Sequence, residues 1–563
     1  MTTAITLRFA FRVLFDDPRF RWASCQLDVL RHCLLRDIQV TLDKLPSTLN
    51  ETYERMLKNI DQKKRKFAHY IFQFLTVSHR PLSVQELAEV LAISNDEEPA
   101  GIPKFDASLR EPEAESAVRS LCSSLVSIDD VNGEKQVRFS HFTVQEFLTS
   151  DQLGELHSTY YVLPQAAHIF SAKVCLSILL RLNSRIAKDN VKVMFPLAAY
   201  AAKHWVEHVK SGDAPSLVRL EGGMNRLFDK KKPQFAAWIW VYDIDNPSGP
   251  HLVHSYPRKS ETTPLYYAAS CGFLNMVKYL ATSHPDDVRS PGRDGRTPLH
   301  AALHNGHSGI ALALLEKGAD ANAQDNGGET PLQIASLRGD IEAMKSLFNH
   351  NAKLDAKNKA NETPLSLASS KGNLEAVQLL LGRCPDLVNH QVAFQRTALH
   401  VATMHGHQPI AQLLLEERAN INTKAVIDAK DENGRTPLHL AADQGQNDIA
   451  RLLLQRGASV NVRDESELTP LHLASLGEQI EVVEQLLDDD AGVDVNAKDG
   501  DGWTALHMAA YNGYPQVVES LIRRGADLDS INNDGKTPWQ SASESHHPLV
   551  IEKLEGAGCQ CSH

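Results

Sequence analysis

A threonine recurs nine times at a spacing near 33 residues, and this recurrence limits the fold more than any other feature of the chain. The anchors are Thr263, Thr297, Thr330, Thr363, Thr397, Thr436, Thr469, Thr504 and Thr537, separated by 34, 33, 33, 34, 39, 33, 35 and 33 residues. Self-similarity at such a period marks a repeat architecture, in which each unit is one supersecondary element that buries its apolar face only by stacking on its neighbours.

The columns between anchors have a physical reading. Five residues after every anchor stands Ala, from Ala268 to Ala542, and seventeen residues after it stands Leu, from Leu280 to Leu554. The small residue lets a first helix approach its neighbour closely; the large one fills the gap from a second helix. Nine residues after the anchor, seven copies place Gly (Gly272, Gly306, Gly339, Gly372, Gly406, Gly445, Gly513), as a helix ending in a left-handed residue requires. The Thr suits an N-cap, and the Pro that usually follows suits the first helical turn, where its missing N–H is not needed. Each unit is therefore expected to be helix, tight turn, helix, then a loop carrying Asp-Gly or Asn-Gly (Asp294-Gly295, Asn433-Gly434, Asp534-Gly535).

The period, the phrase Thr-Pro-Leu-His, the Gly and the paired leucines resemble the ankyrin repeat over about residues 260–557. Three departures stand out. The 39-residue interval carries an insertion around Thr423 to Asp428, expected to be a longer exposed loop. In the copy anchored at Thr469 the Gly falls one position early, at Gly477. The last copy reads Thr537-Pro-Trp-Gln with His546 in the Gly column, as a terminal cap would.

Ahead of the array, several phrases set a different pattern. Trp22, Leu27 and Leu30 share one side of a helix starting near Phe20, and Leu49, Tyr53, Met56, Leu57 and Ile60 fall at helical spacing. Ser83 with Glu86 forms a capping box opening a helix expected to reach Ile93, and residues 94–113, acidic and Pro-containing, read as a loop. Ser124–Ile128 and Gln136–Ser140 flank Asn132-Gly133 as a hairpin, and His141–Leu148 closes the unit with a helix. Three helices and a two-stranded wing make a winged helix. The phrases Phe20-Arg-Trp-Ala, Leu45-Pro-Ser-Thr-Leu, Tyr53-Glu-Arg, Arg80-Pro-Leu and Phe139-Ser-His-Phe-Thr-Val-Gln-Glu-Phe-Leu resemble the segment that follows the NACHT nucleotide-binding domain in fungal NACHT–ankyrin proteins of the NOD-like receptor type. Such proteins carry Gly-x-x-x-x-Gly-Lys-Ser/Thr, whose backbone donors and Lys cradle phosphates. That string is absent here, so the chain reads as the back half of such a protein, either an independent short protein or an incomplete gene model.

The expected fold is mainly α: a winged-helix-like region over 1–150, an α-helical connector over 151–255, and a solenoid of about nine repeats over 256–563. The connector, with Phe195–Val209, Trp238 and Trp240, is expected to pack on the first repeat, and Asn246-Pro-Ser-Gly-Pro250 breaks the chain before the array.

Composition narrows the function. A net charge of −12 argues against a general nucleic-acid surface. No run of about 18 uncharged apolar residues spans a membrane, and Met1–Phe15, interrupted by Arg8 and Arg12, lacks the apolar core of a secretory signal. The eight cysteines are scattered, as in reduced cytoplasmic or nuclear proteins. Lys63-Lys64-Arg65-Lys66 is a nuclear-import candidate, with a solvated first helical turn capped by Asp61 as the plainer reading. In the helix from Ser83, Glu86 and Glu89 without Lys or Arg would repel phosphates, so that helix is expected to pack on protein, not DNA. His300, His400, His439, His472 and His507 occupy one repeat column and read as structure, not metal ligands; His304, His307, His405 and His407 read as surface residues near helix ends. Asp488 to Gly502 lacks the completion of a calcium loop, and no catalytic motif is present.

The resulting expectation is a non-enzymatic interaction scaffold or regulatory adaptor, with a transcriptional coregulator as one form and a remnant of a NACHT-type signalling NTPase, its repeats sensing a ligand, as the alternative. No cofactor, metal, membrane, direct nucleic-acid partner or small-molecule substrate is expected; one or more proteins are. Loop tips and the positions seven and eight residues after each Thr would line the concave face. Candidates are Phe394, Trp503, Tyr511, Asn512, Arg338, Met404, Asp443 and Gln444, with the three aromatics favoured as anchors.

Overall fold

The computed structural model describes residues 48–97, 101–122, 125–155, 159–182, 188–243, 262–416, 426–488 and 492–559. The expected helix at Phe20, the opening Met1–Phe15, the break at Asn246–Pro250 and the first half of the insertion, residues 423–425, lie outside these residues. Contacts divide the chain into two compact units, Met1–Pro264 and Leu265–His563.

In the first unit, α1 (Leu49–Lys58) begins where the Thr48 side chain accepts the Glu51 N–H. Next come α2 (Arg65–Val77), β1 (Leu82–Ser83) and α3 (Val84–Glu89), then β2 (Ile93–Glu97), β3 (Pro103–Phe105) and α4 (Ala114–Cys122). The wing is β4 (Val126–Val131) and β5 (Glu134–Phe139), antiparallel, with β1 on the far side of β5. Asn132 and Gly133 have φ of 56° and 80°, the pair of positive angles a two-residue I′ hairpin turn requires. The strands therefore reach further toward the turn than alternation alone indicates.

Two expectations are corrected. Residues 94–113 are not a plain loop, because β2 and β3 pair antiparallel from Ile93–Phe105 to Glu97–Pro103. The helix opened by the Ser83–Glu86 capping box stops at Glu89, tightens into a 3-10 turn over Val90–Ala92, and becomes strand at Ile93. Its acids face inward. Arg80 clasps Glu86 with bonds of 2.9 and 2.5 Å, and Arg110 Nε lies 2.6 Å from Glu89 Oε1, whose side chain is 3% exposed. Each charge is neutralised by an arginine that helical spacing does not reveal, so the argument from phosphate repulsion does not apply to α3. Helix α4 likewise engages its first-turn acid. There Glu115 bonds both Arg119 and the wing residue Lys135.

The remaining helices are α5 (Phe142–Leu148), α6 (Asp151–Glu155), α7 (Pro164–Leu179), α8 (Lys188–Met194), α9 (Ala198–Lys210), α10 (Ala214–Leu227) and α11 (Pro233–Val241). They pack against the winged helix. Tyr70 of α2 stacks on Phe170 of α7 at 4.6 Å, and Phe74 of α2 meets Tyr200 of α9 at 5.6 Å. Trp205, Phe228 and Trp238 form an aromatic core, closed by the Trp238 indole N–H donating to the Ala202 carbonyl at 3.0 Å. A buried indole keeps its hydrogen bond this way.

The second unit is nine helix pairs, from Pro264–Cys271 and Leu274–Ser283 to Pro538–Glu544 and Pro548–Gly556. All nine column alanines and all nine column leucines are buried. Eight of the anchor threonines, Thr297 to Thr537, form capping boxes with the residue three positions on. The seven column glycines all have positive φ. In the two departing copies Glu478 and His546 take φ of 59° at that same position, while Gly477 has φ of −99°. The register has not slipped at Gly477; the left-handed turn is imposed by stacking and tolerated by a residue with a Cβ. Within the insertion, Val426 and Ile427 are buried, so its end is core and not exposed loop.

Candidate protein-binding surface

The repeat is fastened to its neighbour at three levels, and these decide which side chains remain available. At the base of five of the nine first helices, a column histidine uses both nitrogens. His472 Nδ1 accepts the Thr469 N–H at 3.1 Å, and its Nε2 donates to the carbonyl of Trp503 in the next repeat, also 3.1 Å. His300, His400, His439 and His507 repeat this arrangement, and Gln333 reproduces it with an amide. Burial lowers the pKa of all five histidines, His400 to about 4. Each is thus neutral with its proton on Nε2, and the reading of this column as structural holds.

At the loop tips, a carboxylate or amide folds the turn from within. Asp499 Oδ1 accepts the N–H groups of Asp501 and Trp503 at 3.0 and 2.7 Å. Tips join directly: the Glu432 N–H donates to the Phe394 carbonyl at 2.9 Å, and the Glu465 N–H to the Asn433 carbonyl at 2.9 Å. At the far end of the first helix, a side chain from the following repeat lies against the column glycine. His307 covers Gly272 and His407 covers Gly372, each so near that a glycine Cβ would stand 2.8 Å from the ring. His407 Nε2 also lies 3.1 Å from the Ser370 carbonyl oxygen. These two histidines are therefore half-buried inter-repeat contacts, a correction to their reading as surface residues; the glycine serves the next repeat as well as its own turn.

The candidate residues divide against this framework. Phe394 is 55% exposed at a tip with φ of 59°, and the Arg396 guanidinium lies 5.0 Å from its ring centroid. Tyr511 is 49% exposed, and Trp503, half-buried, meets it edge-on at 5.4 Å. Asn512 is half-buried and turns its amide onto the Met508 carbonyl at 2.9 Å. Arg338 is exposed but reaches back to the His304 carbonyl at 2.8 Å. Met404 and Asp443 are half-buried and Gln444 is exposed, with its amide 3.3 Å from Asp443. Trp503 and Tyr511 are thus brought together, while Phe394 stands three repeats away. One residue was missed: Leu476, 45% exposed, occupies in the preceding repeat the column that Tyr511 occupies in its own. Its position seven after Thr469 is the available signal.

In the basic run, Lys63, Lys64 and Lys66 are exposed, and Arg65 Nε donates to the Ile60 carbonyl at 3.3 Å. Asp61 accepts the Lys63 N–H at 2.8 Å in the turn before α2, whose N-cap Lys64 has no side-chain cap. Asp61 therefore closes that turn and does not cap the helix. Among the described residues, no helix is long and apolar enough to cross a membrane.

Known proteins divide the chain in the same way. The family described as "Ankyrin repeats (3 copies)" matches residues 242–325, 320–388, 371–464, 424–499 and 471–562, together more than half the chain. The family described as "GPI inositol-deacylase, winged helix domain" matches residues 53–162. A Monascus ruber protein, "Azaphilone pigments biosynthesis cluster protein L", is 28% identical over 50% of this chain and 62% of its own length. Alpha-latrocrustotoxin-Lt1a of Latrodectus tredecimguttatus is 43% identical over 11% of this chain and 4% of its own. Mouse "Ankyrin repeat and SAM domain-containing protein 6" is 37% identical over 11% of this chain and 7% of its own. The chain thus spans less than two thirds of each of these relatives. With nine stacked helix pairs, capping boxes in eight and a matching winged helix ahead of them, the chain belongs to the ankyrin-repeat family.

Proposed function

We propose that the chain is a non-enzymatic scaffold or regulatory adaptor, and that the partner seats on the first-helix face and tips of the seventh and eighth repeats. Ankyrin arrays point to a protein-interaction role, and the observation that carries the placement is Tyr511. It is a large side chain left half-exposed, braced by Trp503 and preceded in its column by the exposed Leu476. Aromatic anchors on a rigid support bind with little ordering cost. Asn512 lies beside this anchor, while Asp443 and Gln444 of the sixth repeat, Met404 and the tip residue Phe394 of the fifth and Arg338 of the third stand at corresponding positions along the same face and would extend the contact of a longer partner.

The winged-helix match favours one further reading, that the chain corresponds to the regulatory and sensing part of a NACHT-type signalling NTPase. The Monascus ruber relative is named for a pigment-biosynthesis cluster, and an adaptor of such a cluster, including a nuclear coregulator imported through Lys63 to Lys66, falls within the same proposal. Affinity capture from the native host, using the full chain and its Tyr511→Ala and Leu476→Ala variants, tests the surface. A partner lost with both variants and kept with Leu549→Ala, an exposed apolar residue of the last repeat, is the expected result. Equal capture by all would remove this face from consideration.

A further inference from the structure

The first unit holds a side-chain cluster that the proposed function does not use. His79 lies between α2 and β1, His168 on α7, and His204 and His208 on α9. Two of these are committed to each other. His208 is buried, with Nδ1 3.0 Å from His168 Nδ1 and Nε2 2.9 Å from the Tyr200 hydroxyl.

The other two converge on a carboxylate. The His79 and His204 rings stack at 5.0 Å with 14° between planes. His204 Nδ1 lies 3.0 Å and His79 Nε2 3.4 Å from the same oxygen, Glu207 Oε2. The three ligand atoms all lie within 4.8 Å of one another. Zinc binds nitrogen and carboxylate oxygen at about 2.0–2.2 Å in tetrahedral sites, which sets ligand atoms about 3.3–3.5 Å apart. Two of the three edges are already near that length.

The surroundings hold these groups in place. His204 and Glu207, three apart on α9, share a helix face. The His79 N–H donates to the Tyr200 hydroxyl at 3.3 Å, which fixes that residue's backbone. The nearby Arg80 is engaged by Glu86 and lies over the Tyr200 ring at 5.3 Å.

We propose that His79 Nε2, His204 Nδ1 and a Glu207 carboxylate oxygen form a site for a divalent transition metal, with the donor set of zinc and a fourth position open to water or an external ligand. Such an ion ties the α2–β1 segment to α9, joining two parts of the first unit that are about 125 residues apart in sequence. His168 and His208 stay outside the coordination shell, because the nitrogens they turn toward each other and toward Tyr200 are in use.

The test uses the full chain, stripped with chelator and titrated with Co2+ as the probe. The expected result is visible absorption of tetrahedral intensity, saturating at one equivalent and abolished by Zn2+. Glu207→Gln and His79→Ala, both at solvent-accessible positions, are expected to weaken binding at least tenfold, while His405→Ala, exposed in the array, leaves it unchanged. Absence of tetrahedral bands in the native chain, or equal affinity in Glu207→Gln and His79→Ala, overturns the site and leaves a hydrogen-bonded cluster only. Far-ultraviolet circular dichroism of each variant separates a lost ligand from a lost fold.

Discussion

His472 Nε2 donates to the carbonyl of Trp503, 3.1 Å away and 31 residues on in sequence. The same ring accepts the Thr469 N–H through Nδ1, so one side chain starts its own helix and holds the loop of the next repeat. It also fixes the backbone beneath the aromatic pair proposed to bind a partner.

This double use requires a neutral imidazole, and it sets a pH dependence. The folded-state pKa of each column histidine is lowered by burial, His400 to about 4, whereas an unfolded histidine titrates near 6.5. Between these values the unfolded chain binds more protons. Stability is therefore full above about pH 6.5 and falls as pH drops below it, by about 1 kcal/mol per pH unit for His400 across that window and in the same direction for the other four. Urea midpoints of the array between pH 7.5 and 5 are expected to decline. His472→Gln, copying Gln333 of the third repeat, is expected to lessen the slope while holding stability at pH 7.5. An unchanged slope in the variant would remove this linkage.

Two glycines in the same repeat separate local strain from inter-repeat fit. Gly434 and Gly457 have φ of 74° and 82°. A Cβ at Gly434 would stand 3.0 Å from the Glu465 backbone nitrogen, whereas one at Gly457 meets nothing within 4 Å. Gly457→Ala is expected to cost about 1–2 kcal/mol, the left-handed penalty alone. Gly434→Ala is expected to cost more, since the neighbouring tip must shift as well. Chemical denaturation of the two variants reads the difference; equal losses would show that the tips yield freely.

The proposed surface separates binding from stability. Tyr511→Ala is expected to reduce partner affinity by about 2 kcal/mol, as an aromatic anchor does, with only a small fall in melting temperature from the lost edge-on contact to Trp503. Trp503→Ala is expected to lower both, because the half-buried indole packs on Tyr511 and His507, an edge-on pair worth about 1 kcal/mol. A partner titration beside a thermal melt distinguishes the two.

In the winged helix, Arg110→Met leaves Glu89 buried without its partner, which is expected to destabilise the unit by about 3–5 kcal/mol. Glu89→Gln combined with Arg110→Met removes the stranded charge and is expected to recover part of that loss. A double variant no more stable than Arg110→Met alone would assign the effect to lost packing.

Much of the second unit was legible because a solenoid repeat touches only its neighbours, so its constraints return every 33 residues and add up in columns. Ala268 to Ala542 and the capping threonines are local needs repeated nine times. Where a copy departs, the stack decides: Glu478 takes the left-handed turn that Gly477 would suggest had moved, and Val426 and Ile427 enter the core from a segment that reads as loop. The Asn132-Gly133 wing and the Ser83–Glu86 box were legible because each is complete within a few residues.

The first unit otherwise depended on contacts between distant segments. The Arg110–Glu89 pair spans 21 residues, and the convergence of His79 on His204 and Glu207 spans about 125. No period marks such partners, since each pairing occurs once: the hairpin β2–β3 brings Arg110 back to Glu89, and the packing of α2 on α9 through Phe74 and Tyr200 brings His79 to His204. The sequence alone therefore determined the repeat, its caps and its stacking. Tertiary structure alone decided which acids are buried and paired, which histidines meet, and which apolar side chains of the array stay uncovered, because burial and ion pairing depend on atoms brought close only by the completed fold.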